Sequence, residues 1–86
     1  MRYSIVIPTL NEESTLISNL KFLQSLKEKL EAEIIVVDGQ SCDKTKEIAR
    51  SLTDKIYDVN PSRSLQLNKG IMHADGEYYI FLHVDT

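Results

Sequence analysis

The stretch Tyr78-Tyr79-Ile80-Phe81-Leu82-His83-Val84-Asp85-Thr86 decides how the rest of the chain is read. Its first five residues are bulky β-formers, the pattern of a strand buried in a parallel sheet. They run directly into His83 and Asp85, where apolar character gives way to groups that bind ligands. In open α/β sheets ligands sit outside the carboxyl ends of the strands. A strand that delivers a carboxylate at that end is therefore half of a binding site, and the upstream chain has to supply further strands that end in the same way.

It does so three times. Tyr3-Ser4-Ile5-Val6-Ile7-Pro8 is rich in β-branched residues and is closed by Pro8, which has no N–H to give to a ladder. Thr9-Leu10-Asn11-Glu12 follows; Asn11 reads as a helix N-cap or a ligand contact, and Glu12 and Glu13 stand where the helix dipole favours acids. Leu16, Leu20, Leu23, Leu26 and Leu30 recur at helical spacing and form one buried stripe. Glu33-Ile34-Ile35-Val36-Val37 reads as a central strand covered on both faces, ended by Asp38-Gly39-Gln40-Ser41. Ser41 is again a cap or a ligand contact, and Thr45, Ile48, Ala49 and Leu52 give a short second helix. Residues 54–59 form the weakest strand, a sheet edge, broken by Asn60-Pro61-Ser62. Ser62 or Ser64 then caps a third helix with Leu65, Asn68, Ile71, Met72 and Asp75 along one side, stopped by Gly76 as a C-cap. His73 reads as a surface or half-buried helix residue. The order is β-α-β-α-β-α-β with right-handed crossovers, an open α/β sheet forming one domain over residues 1–86.

Composition narrows the ligand. A net charge of −3 offers no basic excess for nucleic acid phosphates. Cys42 is the only cysteine, which excludes an internal disulfide and a cysteine-based zinc site and fits a reducing, cytoplasmic setting. The N-terminal apolar run is too short for a signal peptide or a membrane span, so no membrane segment is expected. With only Gly39, Gly70 and Gly76 available, the chain has no G-x-G-x-x-G fingerprint, no P-loop and no G-x-S-x-G elbow.

The polar residues that remain gather at the carboxyl ends of the strands. Asp38, directly after an apolar run, needs a donor nearby, from a ligand or from a local Asx-turn. Carboxylates in place of glycines suit a phosphate only if a divalent cation intervenes. Mg2+ or Mn2+ bound by one or two carboxylates and bridged to a diphosphate meets that condition, with Asp85 as the candidate ligand. Arg63 is a bidentate phosphate partner or an exposed residue at a helix start.

Three segments carry a further signal. Ile5-Val6-Ile7-Pro8-Thr9-Leu10-Asn11-Glu12-Glu13, Ile35-Val36-Val37-Asp38-Gly39-Gln40-Ser41-Cys42-Asp43-Lys44-Thr45, and Ala74-Asp75-Gly76-Glu77 leading into Phe81-Leu82-His83-Val84-Asp85-Thr86 resemble the nucleotide-sugar half of family 2 glycosyltransferases of the GT-A fold. The nearest subgroup in appearance is bacterial and ends its fourth strand in Leu-His-x-Asp-Thr. The resemblance implies a Rossmann-like sheet in the order 3-2-1-4, with strands two and four ending about 10 Å apart, a span that suits a nucleotide. It implies that Pro8, Thr9, Asn11, Glu12, Asp38, Gly39 and Arg63 bind the nucleotide, Asp38 accepting a hydrogen bond from the base. Asp85 would hold the metal, with His83 standing where the family has the first aspartate of its D-x-D motif. Gly39 replaces a second aspartate common in the family.

The implied reaction is transfer of a sugar from a nucleotide diphosphate donor to an acceptor hydroxyl. In the family the general base and acceptor pocket follow the D-x-D motif. The 86-residue chain is therefore expected to be a fragment without transferase activity of its own. Strand 78–83 is expected to lack a neighbour and to drive self-association. The competing reading is a non-catalytic nucleotide-binding or interaction module.

Overall fold

A computed structural model describes residues 2–83. Its elements are β1 (Tyr3–Thr9), α1 (Glu13–Lys29), β2 (Ala32–Asp38), α2 (Thr45–Ala49), β3 (Lys55–Asp58), α3 (Arg63–Met72) and β4 (Tyr78–Phe81). The four strands are parallel and lie in the order β3-β2-β1-β4, the expected 3-2-1-4. β1 and β2 are central and run in register from Tyr3 opposite Ala32 to Thr9 opposite Asp38. Alternate side chains of these two strands therefore feed both faces, which explains their unbroken apolar runs.

One face carries Ile5, Ile7, Ile34 and Val36 under Leu16 and Leu23 of α1 and Ala49 of α2. Leu20, Leu26 and Leu30 pack against the same cluster, so the leucine stripe of α1 is the one its spacing indicates. The other face carries Val6, Ile35 and Val37, with Leu67 of α3 and Ala74 beside them. β3 is the edge strand expected from its thin apolar content. Among the described residues no helix is long and apolar enough to cross a membrane.

Several local expectations are corrected. Asn11 has φ 51° and is not a cap; α1 starts at Glu13 with Glu12 in the cap position, and no side chain of its own caps it. Ser41 does not cap α2, whose cap position is Lys44. α3 packs through Gln66, Leu67 and Gly70, whereas Leu65 and Met72, on the side taken from the spacing, are 47% and 73% exposed. A Cβ at Gly70 would overlap the Val6 side chain, so the helix meets the sheet at its smallest residue and turns its larger apolar groups outward. Ser62 does cap α3, accepting from the Leu65 N–H at 3.4 Å.

Gly76 is not the C-cap, a position His73 takes. A Cβ on Gly76 would stand 2.6 Å from Ser4 Oγ and 2.7 Å from the Tyr3 carbonyl carbon, so glycine there lets the loop close onto β1. β4 also differs from the buried strand of the sequence reading. Tyr78, Tyr79 and Phe81 are 52%, 46% and 43% exposed, because β4 pairs with β1 alone among the described residues.

The amino ends of the strands are tied by a buried polar cluster. Glu33, 6% exposed, accepts from Ser4 Oγ, from Lys55 Nζ and from the Asp75 N–H at 2.6 Å. Lys55 also reaches Asp75 Oδ2 at 3.0 Å and the His73 carbonyl at 3.2 Å, while Gly76 N–H donates to Ser4 Oγ at 2.8 Å. Burial pushes the Glu33 carboxyl up, but the bonds from Lys55, Ser4 and the Asp75 amide together outweigh it and hold the group below its ordinary value. Lys55 is raised, by Glu33 first and Asp75 second.

Candidate functional site at the carboxyl edge

At the opposite edge the β1–α1 and β2–α2 loops are built as one piece. Asp38 is fully buried, and its carboxylate accepts from Thr9 Oγ1 at 2.8 Å, Ser41 N–H at 2.7 Å and Ser41 Oγ at 2.6 Å. Ser41 Oγ in turn accepts from the Asn11 N–H at 2.8 Å, and Asn11 Oδ1 accepts from the Cys42 N–H at 2.7 Å. The left-handed backbone at Asn11, tolerable for asparagine, is what turns both groups toward the neighbouring loop.

The helix starts are satisfied across the same seam. Glu12 N–H donates to Thr45 Oγ1 at 2.9 Å and Glu13 N–H to Asp43 Oδ2 at 3.3 Å, while Lys44 N–H donates to Glu13 Oε1 at 2.9 Å. The start of α1 is thus capped from the segment that opens α2, while α2 is capped both across the seam by Glu13 and locally by Asp43, whose Oδ1 accepts the Thr45 N–H at 3.0 Å. The Thr45 hydroxyl, followed by the backbone amides of Thr45 and Glu13, holds the Asp43 carboxyl below its ordinary value.

Above the seam lies a cavity of about 450 Å3. Pro8, Thr9, Leu10, Asn11, Glu12 and Thr15 form one wall, Pro61, Ser62, Arg63 and Gln66 the other, and His83 closes the end beyond β4. Of the residues singled out from sequence, Pro8, Thr9, Asn11, Glu12, Arg63 and His83 are brought together here. Asp38 and Gly39 are not part of the lining. Asp38 lies beneath it, with its oxygens turned to Thr9 and Ser41. Gly39 donates its N–H to the Thr9 carbonyl at 2.8 Å, and a Cβ there would stand 3.1 Å from Pro61 Cα. Asp85 lies outside the described residues.

Gln66 was missed by the sequence reading. Its signal was a polar residue one turn before Gly70, on the face that the glycine brings against the sheet. Among the described residues no three His, Cys, Asp or Glu side chains are grouped to hold a metal ion. His83 offers one nitrogen at the cavity's end, which fits a cation that takes most of its ligands from diphosphate oxygens and water.

A parallel sheet in this order, with its cavity at the carboxyl edge over the switch from β1 to β4, defines a Rossmann-like ligand-binding α/β domain. Residues 4–86 match the family model described as glycosyl transferase family 2, and the chain belongs to that family. It is similar to a dolichol-phosphate mannosyltransferase of Pyrococcus furiosus, 32% identical over 99% of this chain and 26% of the relative. In structure it is similar to TarS 1-349 of S. aureus, with TM-score 0.81 and 29% identity over 99% of this chain and 28% of that one. TarS 1-349 has also been crystallised with UDP-GlcNAc. A third similar structure is glucosyl-3-phosphoglycerate synthase from Mycobacterium tuberculosis in complex with Mn2+, UDP and glucosyl-3-phosphoglycerate. It has TM-score 0.80 and 26% identity over 98% of this chain and 33% of that one. The chain thus spans about a quarter to a third of the length of these relatives.

Proposed function

We propose that this chain binds the nucleotide diphosphate of a sugar donor, together with Mg2+ or Mn2+, for transfer of the sugar to an acceptor hydroxyl. The observation that carries this reading is the convergence of Pro8, Thr9, Asn11, Glu12, Arg63 and His83 on one cavity at the switch point. The nucleoside lies along the β1–α1 wall, which Asp38 and Gly39 support from beneath. The Arg63 guanidinium takes the diphosphate, for which its paired N–H groups are suited. His83, with Asp85, takes the cation. When bound, the cation supplies neutralisation of the charge that develops on the diphosphate as its bond to the anomeric carbon breaks. The relatives crystallised with UDP, UDP-GlcNAc and Mn2+ support this assignment.

Calorimetry with UDP, with and without Mn2+, on the wild type and on Asp85→Ala tests it. Binding that needs both the metal and Asp85 is expected. Binding independent of metal would favour a nucleotide-binding module without transferase chemistry, and absence of binding would remove the nucleotide reading. The exposed β4 edge supports a second element of the proposal, association of copies through strand 78–83. A cytoplasmic location accords with the exposed Cys42 thiol, which a reducing compartment preserves.

A further inference from the structure

We propose that Gln66 is a positioning residue that sets the spacing between the two walls of the cavity, an inference that rests on reading the cavity as the nucleotide site. Gln66 is 6% exposed, and its Nε2 donates to the Thr9 carbonyl at 2.9 Å and to the Val37 carbonyl at 3.0 Å. These carbonyls belong to the carboxyl ends of β1 and β2, where the two strands part into their loops. Carbonyl oxygens only accept, so the amide nitrogen must face them, and both of its hydrogens are used. The Thr9 carbonyl also accepts the Gly39 N–H at 2.8 Å, which fills its two lone pairs.

The clamp works because α3 is located at a second point. One turn further on, Gly70 lies so close to Val6 that no Cβ fits between them, so the helix already rests on β1 and can come no nearer. Gln66 then sets where the start of the helix stands over the strand ends. Ser62 and Arg63, within a turn of Gln66, form one wall of the cavity, and the chain leaving Thr9 forms the other. Gly39 belongs to the same joint, since a Cβ there would stand 3.3 Å from Gln66 Nε2. A single buried amide therefore sets the separation of the two walls by reaching Thr9, 57 residues away in sequence.

The test uses Gln66→Leu and Gln66→Glu, studied where thermal melts show each protein folded. Two readouts are taken: affinity for UDP with Mn2+ across pH 5 to 8, and paramagnetic relaxation of the Arg63–Leu65 amides by a nitroxide on Cys42, the single cysteine. Gln66→Leu leaves two buried carbonyls short of a donor, and about tenfold weaker UDP binding is expected together with altered relaxation. In Gln66→Glu the ionised carboxylate repels both carbonyls, whereas the protonated acid donates to one. Its affinity relative to wild type should therefore recover as the pH falls.

Weaker binding with unaltered relaxation would mean that Gln66 touches the ligand, and would overturn the positioning role. So would wild-type affinity in Gln66→Leu, or, should Gln66→Leu fail to fold, a Gln66→Glu ratio that does not change with pH. If the wild type binds no UDP, the nucleotide reading fails and the relaxation measurement alone decides: altered relaxation supports the clamp, and unaltered relaxation overturns it.

Discussion

The two edges of the sheet bury carboxylates in different ways. At the amino edge Glu33 is matched by a lysine, and Lys55 bridges it to Asp75, so the charge is neutralised within the fold. At the carboxyl edge Asp38 is buried against neutral donors only, the hydroxyls of Thr9 and Ser41 and one backbone amide. The ion pairs among the described residues use Lys46 and Lys55, while Arg63 lines the cavity. The amino edge thus uses opposite charges to hold structure. At the carboxyl edge the buried carboxylate is held by neutral donors, and the one ion pair there among the described residues, Lys46 with Asp58, lies at the surface.

The sharpest way to break this contrast is to remove each buried carboxylate. Asp38→Ala leaves three donors unmet and unties the two loops, so a loss of about 3 kcal/mol in urea unfolding is expected, together with loss of UDP binding in the folded fraction. Glu33→Ala leaves a partly buried Lys55 with the exposed Asp75 as its one acidic partner, beside the His73 carbonyl. It should cost about 2 kcal/mol, discounted for the water that reaches Lys55, and the folded fraction should bind UDP with wild-type affinity. If both variants lose binding equally, the functional division between the edges fails.

Arg63→Ala should show the reverse pattern, with UDP affinity falling about tenfold by calorimetry and stability changing by less than about 0.5 kcal/mol. The pH dependence sharpens the amino edge. Because Glu33 is lowered, its contribution is present above the ordinary carboxylate range and is lost as the pH falls through its depressed value. Because Lys55 is raised, its contribution is present below the ordinary lysine range and is lost as the pH rises through its elevated value. The melting temperature should be level through neutrality and fall at both extremes, and Glu33→Gln should flatten the acid limb.

The smallest effect is expected on β4. Tyr79→Lys, at an exposed site, should change unfolding by less than about 0.5 kcal/mol while reducing association seen by light scattering. Unchanged association would remove the edge from the account.

Much of this is legible in residue order alone. The apolar runs at Ile5–Ile7 and Ile34–Val37 and the leucine stripe of α1 mark the two central strands and the first helix, and the break at Pro61 separates the edge strand from the third helix, because burial on both faces and helical spacing leave direct marks on residue order. The same marks place Pro8, Thr9, Asn11, Glu12 and Arg63 at the carboxyl edge, since each follows or opens an element. The exchange of caps between loops was not legible. Asn11 and Ser41 have the chemistry of caps, and only the parallel pairing of β1 with β2 shows that they serve each other's loop.

For the same reason residue order could set Asp38 at the end of a strand but could not tell whether its oxygens face a ligand or the protein. Two of its three donors come from Ser41, three residues on, and the third from Thr9, 29 residues away on the neighbouring strand, so a local turn and a remote contact settle it together. The packed face of α3 depends likewise on how closely Gly70 approaches Val6. The sequence by itself determined the elements, their order and the edge at which the polar groups collect, all of which follow from local periodicity and chain connectivity. The tertiary structure alone decided which polar groups are spent on one another and which are left for a ligand, because that choice is made by distances between segments that are remote in sequence.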